Sequence, residues 1–279
     1  MQSSSSAAVP AASLPRPRSV GWARLPVWVR RGLIFAVLIG LWQAYVSYAD
    51  PDPLVFVGPW DTLQALWDGW RDGSLARATW ETLRLLGIGT GIGALVAAVL
   101  TIFATLTKIG EDLLILLTSI MNPLPGVAML PLALLFFGLN TNAVLFTIAN
   151  ATIWPIAINI STGFRTVNPT IAAVGRNIGL SPIRLATDVL APSALPHAIS
   201  GLKTAWAFGW RTVVAAELVF GAFGGEGGVG FYINNARLYL LTAQMLAALV
   251  TIAALGVLFE TLFGMLERRT IVRWGMKTS

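Results

Sequence analysis

The sequence predicts an all-α membrane protein of about six transmembrane helices, and three observations predict it. The 279 residues are 56% hydrophobic and only 11% charged, with a mean hydropathy of +0.72, whereas soluble domains run near a quarter charged. The apolar residues collect in uninterrupted runs, and about 20 such residues cross a bilayer as a helix. Barrel strands would alternate polar and apolar instead. The Lys and Arg residues sort by connecting segment, as they do beside membrane spans. The net charge of +6 forms no single patch, so no nucleic-acid partner is expected. The absence of cysteine excludes disulfides, cysteine-ligated metal and a cysteine nucleophile.

Residues 1–30 open in Ser, Ala and Pro with Arg16 and Arg18 and read as a disordered cytoplasmic tail. Residues 31–270 read as the transmembrane domain. The first apolar run begins near Gly32 and ends in "SYADPDP" without a cleavage site, so it is a retained span, 32–49, and not a secretory signal. Segment 50–80 is a loop with short amphipathic turns that carry Pro59, Trp60, Trp67 and Trp70. Span two covers about 82–106. It contains "GIGTGIG", whose small-xxx-small pairs Gly87/Gly91 and Gly89/Gly93 suit close helix packing.

A third run, 112–138, is broken by "NPLPG" and Pro131, which makes it a kinked span or a shorter re-entrant piece. "GLNTN" is a turn, and span four follows at about 143–163. Next comes a polar stretch, 165–197, and then span five at about 198–221. The Gly-rich "GAFGGEGGVG", a short segment with Asn234, Asn235 and Arg237, span six (about 243–264) and a cytoplasmic tail at 271–279 complete the chain. Several of the eleven Trp fall near span ends, as interface anchors do.

Orientation follows from the cations near the span ends. Arg16, Arg18, Arg24, Arg30 and Arg31 precede the first span, and Arg268, Arg269, Arg273 and Lys277 follow the last. Lys108 lies in one turn, and Arg165, Arg176 and Arg184 lie in the polar stretch. Loop 50–80 sets only Arg71 and Arg77 against Asp50, Asp52, Asp61, Asp68 and Asp72. Six spans with both termini cytoplasmic put every basic segment inside.

The polar stretch is therefore cytoplasmic. Ser181 suits a helix N-cap and Pro182 the first helical position. Ile183, Ala186 and Leu190 recur at helical spacing and mark one apolar face, with Arg184 and Asp188 on another. Pro192 and Pro196 are expected to stop the helix. Two readings fit: an interfacial helix lying on lipid, or a docking knob for a soluble partner.

"AVGRNIGLSPIRLATDVLAPSALPHAISGLKTA" (173–205) resembles the cytoplasmic coupling loop of binding-protein-dependent ABC importer permeases, with Gly179, Pro192 and Pro196 at matching spacing. "PLPGVAMLPLALLFFGL" (123–139), "WRTVVAAELVF" (210–220) and "GGVGFYINNA" (227–236) resemble further segments of that family, and together they are most similar to its nitrate, sulfonate and taurine branch. Three positions depart from the pattern: Ala173, Phe137 and Ala243 stand where an acid, a Trp and an acid are common.

The resemblance implies a type I ABC importer permease fold in the cell inner membrane, working as a homodimer with the path between the copies. It implies two cytoplasmic ATPase subunits that carry ATP-Mg, a solute-binding protein outside, and no cofactor on this chain. It assigns ATPase coupling to Gly179, Ser181, Pro182, Ile183, Arg184, Ala186, Thr187, Asp188, Leu190 and Pro192. The chain cannot power transport itself: no G-x-x-x-x-G-K-[ST] phosphate cradle exists, and "GGEGGVG" lacks the Lys.

Arg211 and Glu217 fall inside span five. A charged Arg at the bilayer centre costs roughly 2.5–3.5 kcal/mol on insertion scales, so such residues face a bundle interior or a watery path. Six residues on a helix give about 9 Å of rise and about 240° of turn, so the two do not pair along one face. Glu217 reads either as a path residue or as a structural hydrogen bond. Arg211 reads either as an attractor for an anion or as half of an interhelical ion pair.

Asn150, Thr152, Trp154 and Asn159 in span four are candidates to line the path, although membrane Asn and Thr also bond between helices. His197, the sole histidine, reads as a polar helix-end residue rather than a metal ligand, and Lys203 can snorkel. The expected substrate is a small anion such as a sulfonate, taurine or nitrate. Rival readings are weaker. A membrane-embedded enzyme would need H-E-x-x-H or paired catalytic groups, and a secondary transporter often shows inverted repeats; neither is evident.

Overall fold

A computed structural model describes residues 25–167, 169–221 and 227–273. The tails at 1–24 and 274–279, and half of "GAFGGEGGVG" (222–226), lie outside the described residues. Every regular element among the described residues is helical. The chain divides into two units, Met1–Asp50 and Pro51–Ser279. The described part of the first unit is one helix, α1 (Val27–Ala49), long enough to cross a bilayer and without a buried residue. It begins five residues before the expected Gly32, directly after Pro26.

The described residues of the second unit form ten α-helices. They are α2 (Pro59–Arg71), α3 (Ser74–Leu106), α4 (Lys108–Met121), α5 (Leu130–Phe137), α6 (Thr141–Thr166), α7 (Pro169–Asn177), α8 (Pro182–Arg184), α9 (Ala191–Phe220), α10 (Val229–Leu238) and α11 (Thr242–Arg273). Of these, α3, α6 and α11 are also long and apolar enough to span, as is the broken pair α4–α5 if it counts as one crossing. With α1, four or five helices among the described residues meet that measure of length and apolarity, against the six expected. The difference lies in α9, which carries Lys203, Arg211 and Glu217 and is too polar to qualify.

The break between α4 and α5 is forced by sequence. Pro123 and Pro125 lack the N–H that would continue the ladder, and their rings clash with the carbonyls of the preceding turn. The chain therefore bends by 99°, passes through a 3₁₀ turn at Gly126–Met129, and resumes as α5 with Pro131 in its first turn. Gly126 lets this elbow touch the bundle: a Cβ there would fall onto Thr212 Oγ1 and lie 2.8 Å from Ala151 Cβ.

The core is a three-helix stack in which α6 packs against α3 on one side and α9 on the other. Leu86, Val144, Ile148, Trp210 and Val213 fill it. Only half of "GIGTGIG" serves the contact. A Cβ on Gly89 would lie 2.7 Å from Ile148 Cβ, and one on Gly93 3.0 Å from the Ala149 carbonyl oxygen, while Gly87 and Gly91 face open space. A second cluster, Leu75, Ala78, Val229, Ile233 and Ala248, joins α3, α10 and α11, with Leu66 of α2 packed on it.

Candidate functional site

At the elbow, α6 and α9 close off a cavity of about 310 Å³. Asn122 and Pro125 line it from the break, Ala151 and Trp154 from α6, and Phe208, Arg211 and Thr212 from α9. Two of its polar groups are already occupied. Trp154 Nε1 donates to Asn150 Oδ1 at 3.3 Å, and Thr212 Oγ1 donates to the Phe208 carbonyl at 2.8 Å. Arg211 differs: its side chain is exposed, and among the described residues its guanidinium has no carboxylate within ion-pair distance. The interhelical ion pair open to it from sequence does not form there. The cavity thus presents a cation, an aromatic wall and the Asn122 side chain, which has no hydrogen-bond partner among the described residues, and this suits a small anion better than a neutral or cationic solute.

The six expected path residues separate. Arg211 and Trp154 share the cavity wall. Asn150, 7% exposed, stands behind Trp154 and holds it. Thr152 and Asn159 bond to carbonyls of their own helix rather than across helices.

Glu217 is elsewhere, 1% exposed, at a junction of three helices. Thr82 Oγ1 of α3 donates to the Glu217 carboxylate at 2.9 and 3.0 Å, and the Gly230 N–H of α10 donates to Glu217 Oε2 at 2.9 Å. The Val229 N–H donates in turn to Thr82 Oγ1 at 2.8 Å. Two N-terminal donors of α10, which no turn within the helix can satisfy, are therefore met by a carboxylate and a hydroxyl. Gly228 is required for this approach, because a Cβ there would overlap Glu217 Oε1 and Thr82 Oγ1. Thr82 carries no sequence signal, since its partner lies 135 positions away.

The polar stretch is built in three steps. α7 ends at Asn177, and two residues on Gly179 turns the chain with a φ of +80°, a left-handed conformation that glycine adopts without penalty. The Leu180 N–H then reaches back to the Gly175 carbonyl at 3.1 Å, the closing bond of a Schellman motif. Ser181 Oγ accepts from the Arg184 N–H at 3.3 Å and caps α8.

The prolines, however, do not stop the helix. α8 runs into a π-helical segment, Leu185–Leu190, and directly into α9. Pro192 sits in the first turn of α9, and the wider π turn before it relieves the clash between its ring and the preceding carbonyls. Pro196 is accommodated inside α9.

The expected apolar face is also split, because Ile183 is 62% exposed and Leu190 only 8%. The side chains of Pro182 and Ala186 lie outside the described residues. Asp188 does not pair with Arg184 but accepts from Thr187 Oγ1 at 2.7 Å. Ser181, Ile183, Arg184, Thr187, Asp188 and Pro192 all present exposed side chains.

Two further expectations concern polar residues of α9. His197 Nε2 lies 3.3 Å from Thr166 Oγ1. Lys203, expected to snorkel, meets Glu260 at 2.8 Å and Glu267 at 3.6 Å on α11.

Comparison with known proteins agrees with this architecture. Residues 89–272 match the family described as "Binding-protein-dependent transport system inner membrane component". A protein of Escherichia coli named for aliphatic sulfonates transport, the permease protein SsuC, is 30% identical over 241 residues, 85% of this chain and 88% of that protein. The nitrate import permease protein NrtB of Synechocystis sp. is 27% identical over 248 residues, 87% of this chain and 89% of that protein. In fold, a chain of the MetNI methionine ABC transporter in an inward-facing conformation superposes with a TM-score of 0.55 at 20% identity, covering 70% of this chain and 95% of that one. The fold is that of a type I importer permease, and the chain belongs to the binding-protein-dependent transport system inner membrane components: it is a multi-pass membrane permease subunit of an ABC importer, not itself an enzyme.

Proposed function

We propose that this subunit imports a small organic or inorganic anion of the sulfonate, taurine or nitrate kind through the cavity that Arg211 and Trp154 line. The observation that carries the reading is Arg211: a guanidinium on a cavity wall with no carboxylate partner among the described residues. Left facing lipid, it would cost roughly 2.5–3.5 kcal/mol; facing a watery path, it supplies a charge-assisted hydrogen bond to a passing anion. The names of SsuC and NrtB, which specify sulfonates and nitrate, support the same class.

Two copies enclose the path, and α9 counts as the sixth crossing, shielded by α3 and α6. Both termini then lie in the cytoplasm, in keeping with the basic segments at each end. Two ATPase subunits carrying ATP-Mg seat on the exposed side chains between Gly179 and Pro192. A solute-binding protein delivers the anion on the opposite face.

The test is uptake by proteoliposomes holding the permease, its ATPase and its binding protein, with sulfonates, taurine, nitrate and uncharged analogues as candidates. Arg211→Ala should lower uptake of the accepted anion roughly 10- to 100-fold, the loss of one charge-assisted bond of about 1.5–3 kcal/mol. Arg211→Lys should recover part of it. Equal uptake by wild type and Arg211→Ala, with assembly intact, would remove the residue from the path.

A further inference from the structure

Helix α2 has three faces, and among the described residues of the second unit only one of them packs on protein. Thr62 and Gly69 are buried and Leu66 is half-buried against α11 and α3. Asp61 and Asp68 occupy a second face, beside a groove of about 840 Å³. The third face carries Trp60, Leu63, Trp67 and Trp70, all exposed, with Trp67 at 68%. On a helix turning about 100° per residue, these four lie within roughly 80° of arc. The surface between them is almost free of polar atoms. Three exposed tryptophans and a leucine on one short helix form an apolar patch of the sort that marks an interaction site.

We infer that α2 is an interfacial helix that lies in the plane of the bilayer surface, with its Trp60–Leu63–Trp67–Trp70 face sunk among lipid headgroups and upper acyl chains. Continuity with the lipid-facing surface argues for this occupant over a protein. α2 is joined to α3 by only Asp72 and Gly73, and the exposed side chains Trp80, Ile88, Ile92, Leu95, Val99 and Ile102 run as one stripe along α3 from that junction. α11, which packs on α2, exposes Leu249, Val250, Val257, Leu258 and Leu262 in the same way.

Residue choice argues likewise. Tryptophan, with an apolar body and a polar N–H, concentrates where hydrocarbon meets water. The acids at 61 and 68 sit on the flank that such a placement leaves in water. Arg71 follows Trp70 and lies four residues after Trp67, but Asp61 and Asp68 on the same short helix outweigh its charge, so the attachment is apolar rather than electrostatic and requires no anionic lipid. Because α2 is welded to the cluster of Leu75, Val229, Ile233 and Ala248, it fixes the adjoining ends of α3, α10 and α11 to the membrane plane. This inference does not depend on the transported solute.

The chain has no cysteine, so single labels can be placed directly. Trp67→Cys, Leu63→Cys and Asp68→Cys would each carry an environment-sensitive fluorophore, in the assembled transporter reconstituted into phosphatidylcholine vesicles. Retained ATP-driven uptake marks a folded variant, and Leu63 serves if the Trp67 variant fails. Labels at 63 and 67 should be quenched at least twofold more by a nitroxide on the headgroup or upper acyl chain than by one near the bilayer centre. They should resist aqueous iodide and be unaffected by added salt, while the label at 68 should be quenched by iodide. Equal iodide quenching at 67 and 68 would overturn the inference. So would ready disulfide formation between copies at position 67, which would give the face to the dimer.

Discussion

Thr82→Val is the sharpest perturbation of the junction at Glu217. Valine keeps the shape of threonine but removes its one hydroxyl, which both donates to the buried carboxylate and accepts from the Val229 N–H. The first loss removes a bond to a charged group, about 1.5–3 kcal/mol; the second leaves a buried N–H unpaired, about 1–3 kcal/mol. Allowing for partial relaxation, the variant should lose about 3–5 kcal/mol, a drop of two to three and a half orders of magnitude in the folding equilibrium. Thr82→Ser, which keeps the hydroxyl, should lose far less. Equilibrium unfolding of the purified permease in mixed lipid–detergent micelles, titrated with a denaturing detergent, reads the difference directly. If Thr82→Val and Thr82→Ser unfold at the same midpoint as wild type, the hydroxyl contributes nothing and the reasoning fails.

Three other outcomes are expected. Gly89→Ala should destabilise α3–α6 packing by about 1–3 kcal/mol, since its Cβ would press on Ile148, whereas Gly91→Ala, facing open space, should be neutral or slightly stabilising; the same unfolding titration separates the two. Deleting 180–191 should abolish co-purification with the ATPase while the protein still reaches the membrane, and retained binding would count against docking at this segment. The Asp72 carboxyl accepts from the Ser74 N–H at 2.7 Å, and that bond holds its pKa below the usual 3.8. A depressed carboxyl stabilises above its unfolded pKa and loses that contribution as pH falls through the folded value, so the protection factors of amides at the start of α3, with the intrinsic pH dependence of exchange divided out, should be flat from pH 5 to 8 and fall only below about pH 4.

What could be read from the sequence was whatever is encoded locally. Apolar runs located α1, α3, α6 and α11, the "NPLPG" break located the elbow, and Ser181 located a cap, because each depends on neighbours within a few residues. The polarity of α9 was visible as well, but its consequence was not. Arg211 and Glu217 look alike in sequence as charges in one span, and only tertiary packing sends one to a cavity and the other to Thr82. The prolines misled for a related reason: a π turn absorbs Pro192, and no local signal announces that turn. The split between Gly89/Gly93 and Gly87/Gly91 likewise depends on which side of α3 meets α6.

The polarity of α9 also bears on biogenesis. Each central charge costs a lone helix roughly 2.5–3.5 kcal/mol at the translocon, and α9 carries Lys203, Arg211 and Glu217. A nascent chain therefore gains little by releasing this segment into lipid by itself. Its ribosome must wait on earlier helices, chiefly α3 and α6, to offer a protected berth, while Lys203 and Glu217 await α11 and α10, still to be synthesised. Truncating the gene just after α9 should thus yield a product that quality-control proteases remove, even though most of the bundle has been made.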